Sequence, residues 1–205
     1  MTNRLYIWSG MCILSTYLTP VILGIYTKVT GDEGFILTLY LLISPVIIGI
    51  INLIIAIRGR KSIDRNCFLG CSLIIKYSMI PYFMFGVIML FFAAILTFVP
   101  VPFMIFVGPF AVVFVLVYGW IMMVQTAPFA IAYMISSYRE GVHGIVLTVL
   151  GCICQFFFSL DVISIMVLAL KEKKYVKLTV AVFSLILAGI VGYVLYVLIR
   201  MTSRM

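Results

Sequence analysis

GIVLTVLGCICQFFFSLDVISIMVLAL, residues 144–170, carries a single charge, Asp161. About 27 apolar residues are enough for one tilted helix to cross a bilayer. Asp161 lies a few residues past the middle of the run, too deep for its short side chain to reach lipid headgroups. An ionisable group at that depth marks a site or a tie between helices. Gly144, Thr148, Gly151, Cys152, Gln155 and Ser159 recur at spacings of three and four, which stacks them along one side of a continuous helix. Asp161 falls on another side, with Ser164 and Cys154. Small residues let a second helix approach, and Thr, Ser and Gln can hydrogen-bond across the seam. A helix with polar groups on two sides belongs inside a bundle.

The rest of the chain has the same character. It is 65% hydrophobic and 10% charged over 205 residues, against about 25% charged in soluble proteins. Its few charges cluster between long apolar runs. Further spans are read at about 5–26, 35–57, 72–99, 101–135 and 178–199. The expected architecture is therefore all-α, a polytopic six-helix bundle forming one domain over residues 1–205. A seven-span alternative divides 101–135 near Gly119. Ala181, Ser184, Ala188 and Gly192 form a small-residue seam on the last span, suited to pack against the seam of 144–170. Pro20, Pro45, Pro81, Pro109 and Pro128 fall in the first four spans, and each frees a carbonyl four residues earlier that needs another donor.

The net charge of +8 from 14 basic residues is the pattern that membrane topology and anionic lipid select, not a nucleic-acid surface. With six spans and a cytoplasmic N-terminus, nine cations lie inside and five outside, and the C-terminus at Met205 is cytoplasmic. Seven spans would give ten against four, but no polar turn supports a break at Gly119. Lys76 is read as snorkelling toward the basic loop around Arg58–Arg65, at a different depth from Asp161.

No catalytic pattern stands out in the sequence. The single histidine, His143, lies in the link with Tyr138, Arg139 and Glu140, read as a solvated connector. One buried acid and one loop histidine assemble neither a nucleophile with its base nor a metal site. Cys152 and Cys154 point to opposite sides, and Cys67 and Cys71 have no second pair. The five cysteines are expected to be reduced. Enzymatic activity, cofactors, metals and nucleic-acid partners are not expected.

The runs Lys76–Pro81 (KYSMIP), Val107-Gly-Pro109, Ala127–Tyr133 (APFAIAY), Gln155–Ile163 (QFFFSLDVI) and Lys171-Glu-Lys173 resemble an uncharacterised family of small multi-span proteins from Gram-positive bacteria. That resemblance implies a membrane protein with no assigned activity. In size, span count and basicity the chain is also similar to substrate-binding subunits of energy-coupling-factor vitamin transporters. It departs from them in lacking their small-residue motif in the first span.

Two functions are expected to compete. One is a carrier or small-molecule-binding subunit, with candidate ligand-binding or helix-pairing residues Asp161, Gln155, Ser164, Ser159, Thr148, Gln125 and Lys76. The other is an accessory or regulatory subunit that binds partner helices or a second copy of itself in the lipid bilayer. A water-lined cavity at Asp161 favours the first, and a dry, packed Asp161 the second.

Overall fold

The computed structural model describes residues 2–30, 35–59, 62–99, 101 and 103–202. The link at 31–34, the prolines Pro100 and Pro102, the basic residues Arg60, Lys61 and Arg204, and Met205 lie outside them. Every regular element among the described residues is an α-helix: α1 (Thr2–Thr30), α2 (Phe35–Gly59), α3 (Arg65–Leu96), α4 (Met104–Arg139), α5 (Ile145–Cys154), α6 (Leu160–Lys171) and α7 (Val176–Thr202). Four stretches among them, Arg4–Thr30, Leu42–Gly59, Arg65–Leu96 and Ile105–Arg139, are long and apolar enough to cross a membrane.

Two compact units divide the chain at Ile165 and Met166. In the first, α3 and α4 form a hairpin, α2 packs on α4, α1 on α3 and α2, and α5 on α4. The hairpin core is fully buried and includes Phe68, Leu69, Leu73, Met123, Phe129 and Tyr133, with Phe68 stacked on Phe129 at 6.5 Å. Helix α3 starts at Arg65 rather than near residue 72. Asp64 caps it, accepting from the Asn66 backbone N–H at 3.3 Å, which satisfies one of the free donors of the first turn. Helix α4 runs unbroken through Gly119, so the seven-span division has no break to use.

All five interior prolines are accommodated inside α1–α4. Near Pro81, the Tyr17 hydroxyl of α1 donates to the Ser78 carbonyl of α3.

The 144–170 stretch departs from the single helix expected of it. It breaks between Cys154 and Leu160. Three aromatic residues in succession, Phe156–Phe158, lose rotamer freedom in a helix, and Ser159 takes a left-handed φ of 66°. The second unit carries the end of α6, a turn with Lys173 and Tyr175 both at φ 54°, and α7. The turn holds an ion pair between Lys174 and Glu172 at 3.6 Å. Ala181, Ser184, Ala188 and Gly192 are exposed on α7.

Candidate functional site

At the break, a hydrogen-bond exchange replaces the regular helical ladder. The backbone N–H groups of Gln155, Phe156 and Phe157 turn back to the carbonyls three residues earlier. The Gly151 carbonyl would thereby lose its usual donor. The side-chain amide of Gln155 supplies one at 3.1 Å and also donates to the Ser164 hydroxyl at 2.8 Å. Ser164 in turn donates to the Asp161 carbonyl at 3.0 Å. From α4, the Trp120 indole N–H donates to the Phe156 carbonyl at 3.3 Å. Phe158 meets Phe83 of α3 edge-on at 6.0 Å and lies over Gly119 of α4. The interruption is thus tied to both helices of the hairpin. Replacing the fully buried Gln155 with Leu is expected to cost about 1–3 kcal/mol, because the Gly151 carbonyl loses its donor. Thermal unfolding of the purified variant checks this.

The break also places Asp161 in the first turn of α6, where the positive end of the helix dipole favours a negative charge. Its Oδ2 receives the Lys76 ammonium from α3 at 2.8 Å. Lys76 is 1% and Asp161 2% exposed. This corrects the reading of Lys76 as snorkelling away at another depth. That reading assumed a continuous helix through 144–170 and a third span starting near 72. The turn at 155–159 removes the first premise, and the 2.8 Å contact between the two charged groups brings them together whatever the second. Among the described residues the ammonium has this one hydrogen-bond partner for its three donors.

The remaining candidates divide. Gln155 and Ser164 join Asp161 as described, and Ser159 is the exposed turn residue. Thr148 is buried but donates within its own helix, to the Gly144 carbonyl at 3.1 Å. Gly151 of the small-residue seam meets α4: a Cβ there would lie 2.8 Å from Met134 Sδ. Gln125 belongs to a different polar group. There Asn52 of α2 donates to the Gln125 carbonyl at 3.4 Å and to Cys12 Sγ of α1 at 3.5 Å. Gln125 Nε2 contacts Met122 Sδ at 3.1 Å, and Asn52 Oδ1 and Gln125 Oε1 are buried without a partner among the described residues.

Three contributors were missed in the sequence. Asn52 is the one amide in the α2 stretch, and its polarity was a usable signal. The connector histidine, His143, is buried 3.4 Å from the Tyr133 hydroxyl rather than solvated. Trp120 gave no signal, since its role depends on a break that the apolar pattern hides. The connector's Glu140 pairs with Arg65 at 3.0 Å. The five cysteines are free thiols.

Beside the break, α2 and α4 enclose an open apolar groove of about 540 Å³, running from Val46 to Ile57 on α2 and from Trp120 to Ile135 on α4, with Phe156 at one end. Gly49 brings the helices together there, since a Cβ would lie 2.8 Å from Gln125 Cβ. Lys76 and Asp161 do not line it.

The model of a family of unknown function, DUF6652, matches residues 5–174, a span that includes Lys76, the break and Asp161. No curated protein and no solved structure matches the chain.

Proposed function

The chain belongs to DUF6652, a family of unknown function, and from that starting point we propose a non-enzymatic, multi-pass membrane subunit that acts through its helix surfaces. Six spans with both termini cytoplasmic are part of this proposal, with α5 and α6 together making the fifth. The observation that carries it is the Lys76–Asp161 pair. Its two charges neutralise one another at 2.8 Å with both side chains almost wholly buried. Intramembrane charges earn their place by pairing or by serving a water-filled path, and these are paired. A sealed pair fixes the broken helix against α3 and leaves the outer helix faces for partners or a second copy.

The carrier reading keeps one supporting observation. The break lies beside a buried ammonium that, among the described residues, has one partner for its three donors, and broken helices are how many transporters build a midplane site. Carbodiimide labelling of intact membranes separates the two, with intact-mass and peptide mapping as the readout. For the sealed pair, Asp161 stays unmodified by both a lipid-soluble and a water-soluble carbodiimide, while Lys76→Met exposes it to the lipid-soluble reagent. Labelling of Asp161 in the unaltered protein by the water-soluble reagent would sink the sealed-pair reading in favour of a carrier.

A further inference from the structure

We propose that the α2–α4 groove is a binding site for one anionic phospholipid, with an acyl chain along the groove and the headgroup phosphate at Arg58 and Arg139. The inference rests on the bilayer-embedded reading above, but not on the choice between subunit and carrier.

Dimensions come first. The groove follows α2 for eleven residue steps, from Val46 to Ile57, and α4 for fifteen, from Trp120 to Ile135. At 1.5 Å per residue these are about 16 and 22 Å, so the groove covers the ~15 Å depth of one leaflet's hydrocarbon along α2 and exceeds it by about half along α4. The lining is aliphatic and aromatic except for Gln125, which suits a hydrocarbon chain.

Charge comes second, and it lies at one end only. Arg58 directly follows the lining residue Ile57 in the last turn of α2. Arg139 comes four residues after the lining residue Ile135, one turn further along the same face of α4. Both ends lie at the start of α3, because Arg65 there pairs with Glu140 just past α4. Both arginines are exposed, and neither is in an ion pair among the described residues. The nearby carboxylates are committed elsewhere: Glu140 to Arg65, and Asp64 to Asn66 at the α3 cap. A one-leaflet apolar slot closed by an aromatic pair at depth, and open between two unpaired guanidiniums, is complementary to an anionic lipid.

Tryptophan quenching tests this in the full-length protein. Trp8→Phe leaves Trp120, at the deep end of the groove, as the one remaining tryptophan. The protein is reconstituted in phosphatidylcholine vesicles containing a minor fraction of lipid brominated along its chains. That lipid is either phosphatidylglycerol or phosphatidylcholine. The expected result is stronger quenching by the anionic lipid, corresponding to a preference of up to about 25-fold if each arginine contributes fully. Replacing both arginines (Arg58→Gln with Arg139→Gln) should abolish the preference while leaving quenching by phosphatidylcholine unchanged.

Equal quenching by the two lipids in the protein with its arginines intact would overturn the proposal. So would absence of quenching by either lipid in a protein that resists carbonate extraction, which would mean that a helix covers the groove. Extraction by carbonate would instead refute the bilayer-embedded reading, and the lipid site with it.

Discussion

Asp161→Leu is expected to destabilise the full-length protein by about 3–5 kcal/mol, because it leaves the Lys76 ammonium buried without its counter-charge. Lys76→Met should fall in the same range for the converse reason. The double replacement, Lys76→Met with Asp161→Leu, should cost far less than the sum. Two apolar side chains of similar volume need no compensation, whereas one orphaned charge does. Read from the sequence, Asp161→Asn is expected to preserve folding, since an amide still hydrogen-bonds. The pairing with Lys76 changes that expectation to an intermediate loss, because the amide accepts the bond but leaves the positive charge uncompensated. Thermal unfolding of the detergent-purified variants, followed by loss of the monodisperse peak, gives the four values. Additive single effects would show that the two side chains do not act as a pair.

Gly108→Ala is expected to cost about 1–3 kcal/mol or more, despite adding only one methyl group to a helix. A Cβ at Gly108 would lie 2.6 Å from both Cα and N of Thr97. Those are backbone atoms, so no side-chain rotation relieves the clash and the α3–α4 hairpin has to open. Gly86→Ala is the control. It also lies inside a helix, but nothing is within 4 Å of its Cβ position. There the ordinary preference of helices for Ala over Gly should give about 0.5–1 kcal/mol of added stability. The two variants thus differ in sign. Equal melting temperatures would mean that the hairpin turn is looser than described.

The helical class was legible because runs of apolar residues this long have few other solutions, and α2 and α4 start and end within a few residues of the stretches read for them. What stayed hidden was local. The break at 155–159 lies inside an unbroken apolar pattern, with neither Gly nor Pro to mark it. Ser159 takes a left-handed conformation there, Gln155 caps the break from within the stretch, and Trp120 holds the Phe156 carbonyl from 36 residues away, a tertiary contact. Asp161 was legible as an anomaly of charge in a hydrocarbon-like context. Its partner Lys76 was named among the candidates but set at a different depth, because depth was reckoned along ideal straight helices, and the turn shifted that reckoning. The same limit explains Gln125, which was grouped with Asp161 on polarity alone but belongs with Asn52 and Cys12.

The two partners of the buried ion pair are 85 residues apart in the chain, which has a consequence for biogenesis. At about 5–20 residues per second, synthesis takes roughly 4–17 s to cover that interval. Throughout it Lys76 has left the ribosome and Asp161 has not. On the bilayer-embedded reading proposed above, an α3 released into lipid at once would carry an uncompensated cation, so its lateral exit has to wait, or proceed with the amine deprotonated, until the segment beginning at Leu160 arrives. Nascent chains truncated before residue 160 should therefore remain crosslinkable to the insertion machinery through α3, and Lys76→Met should release them early.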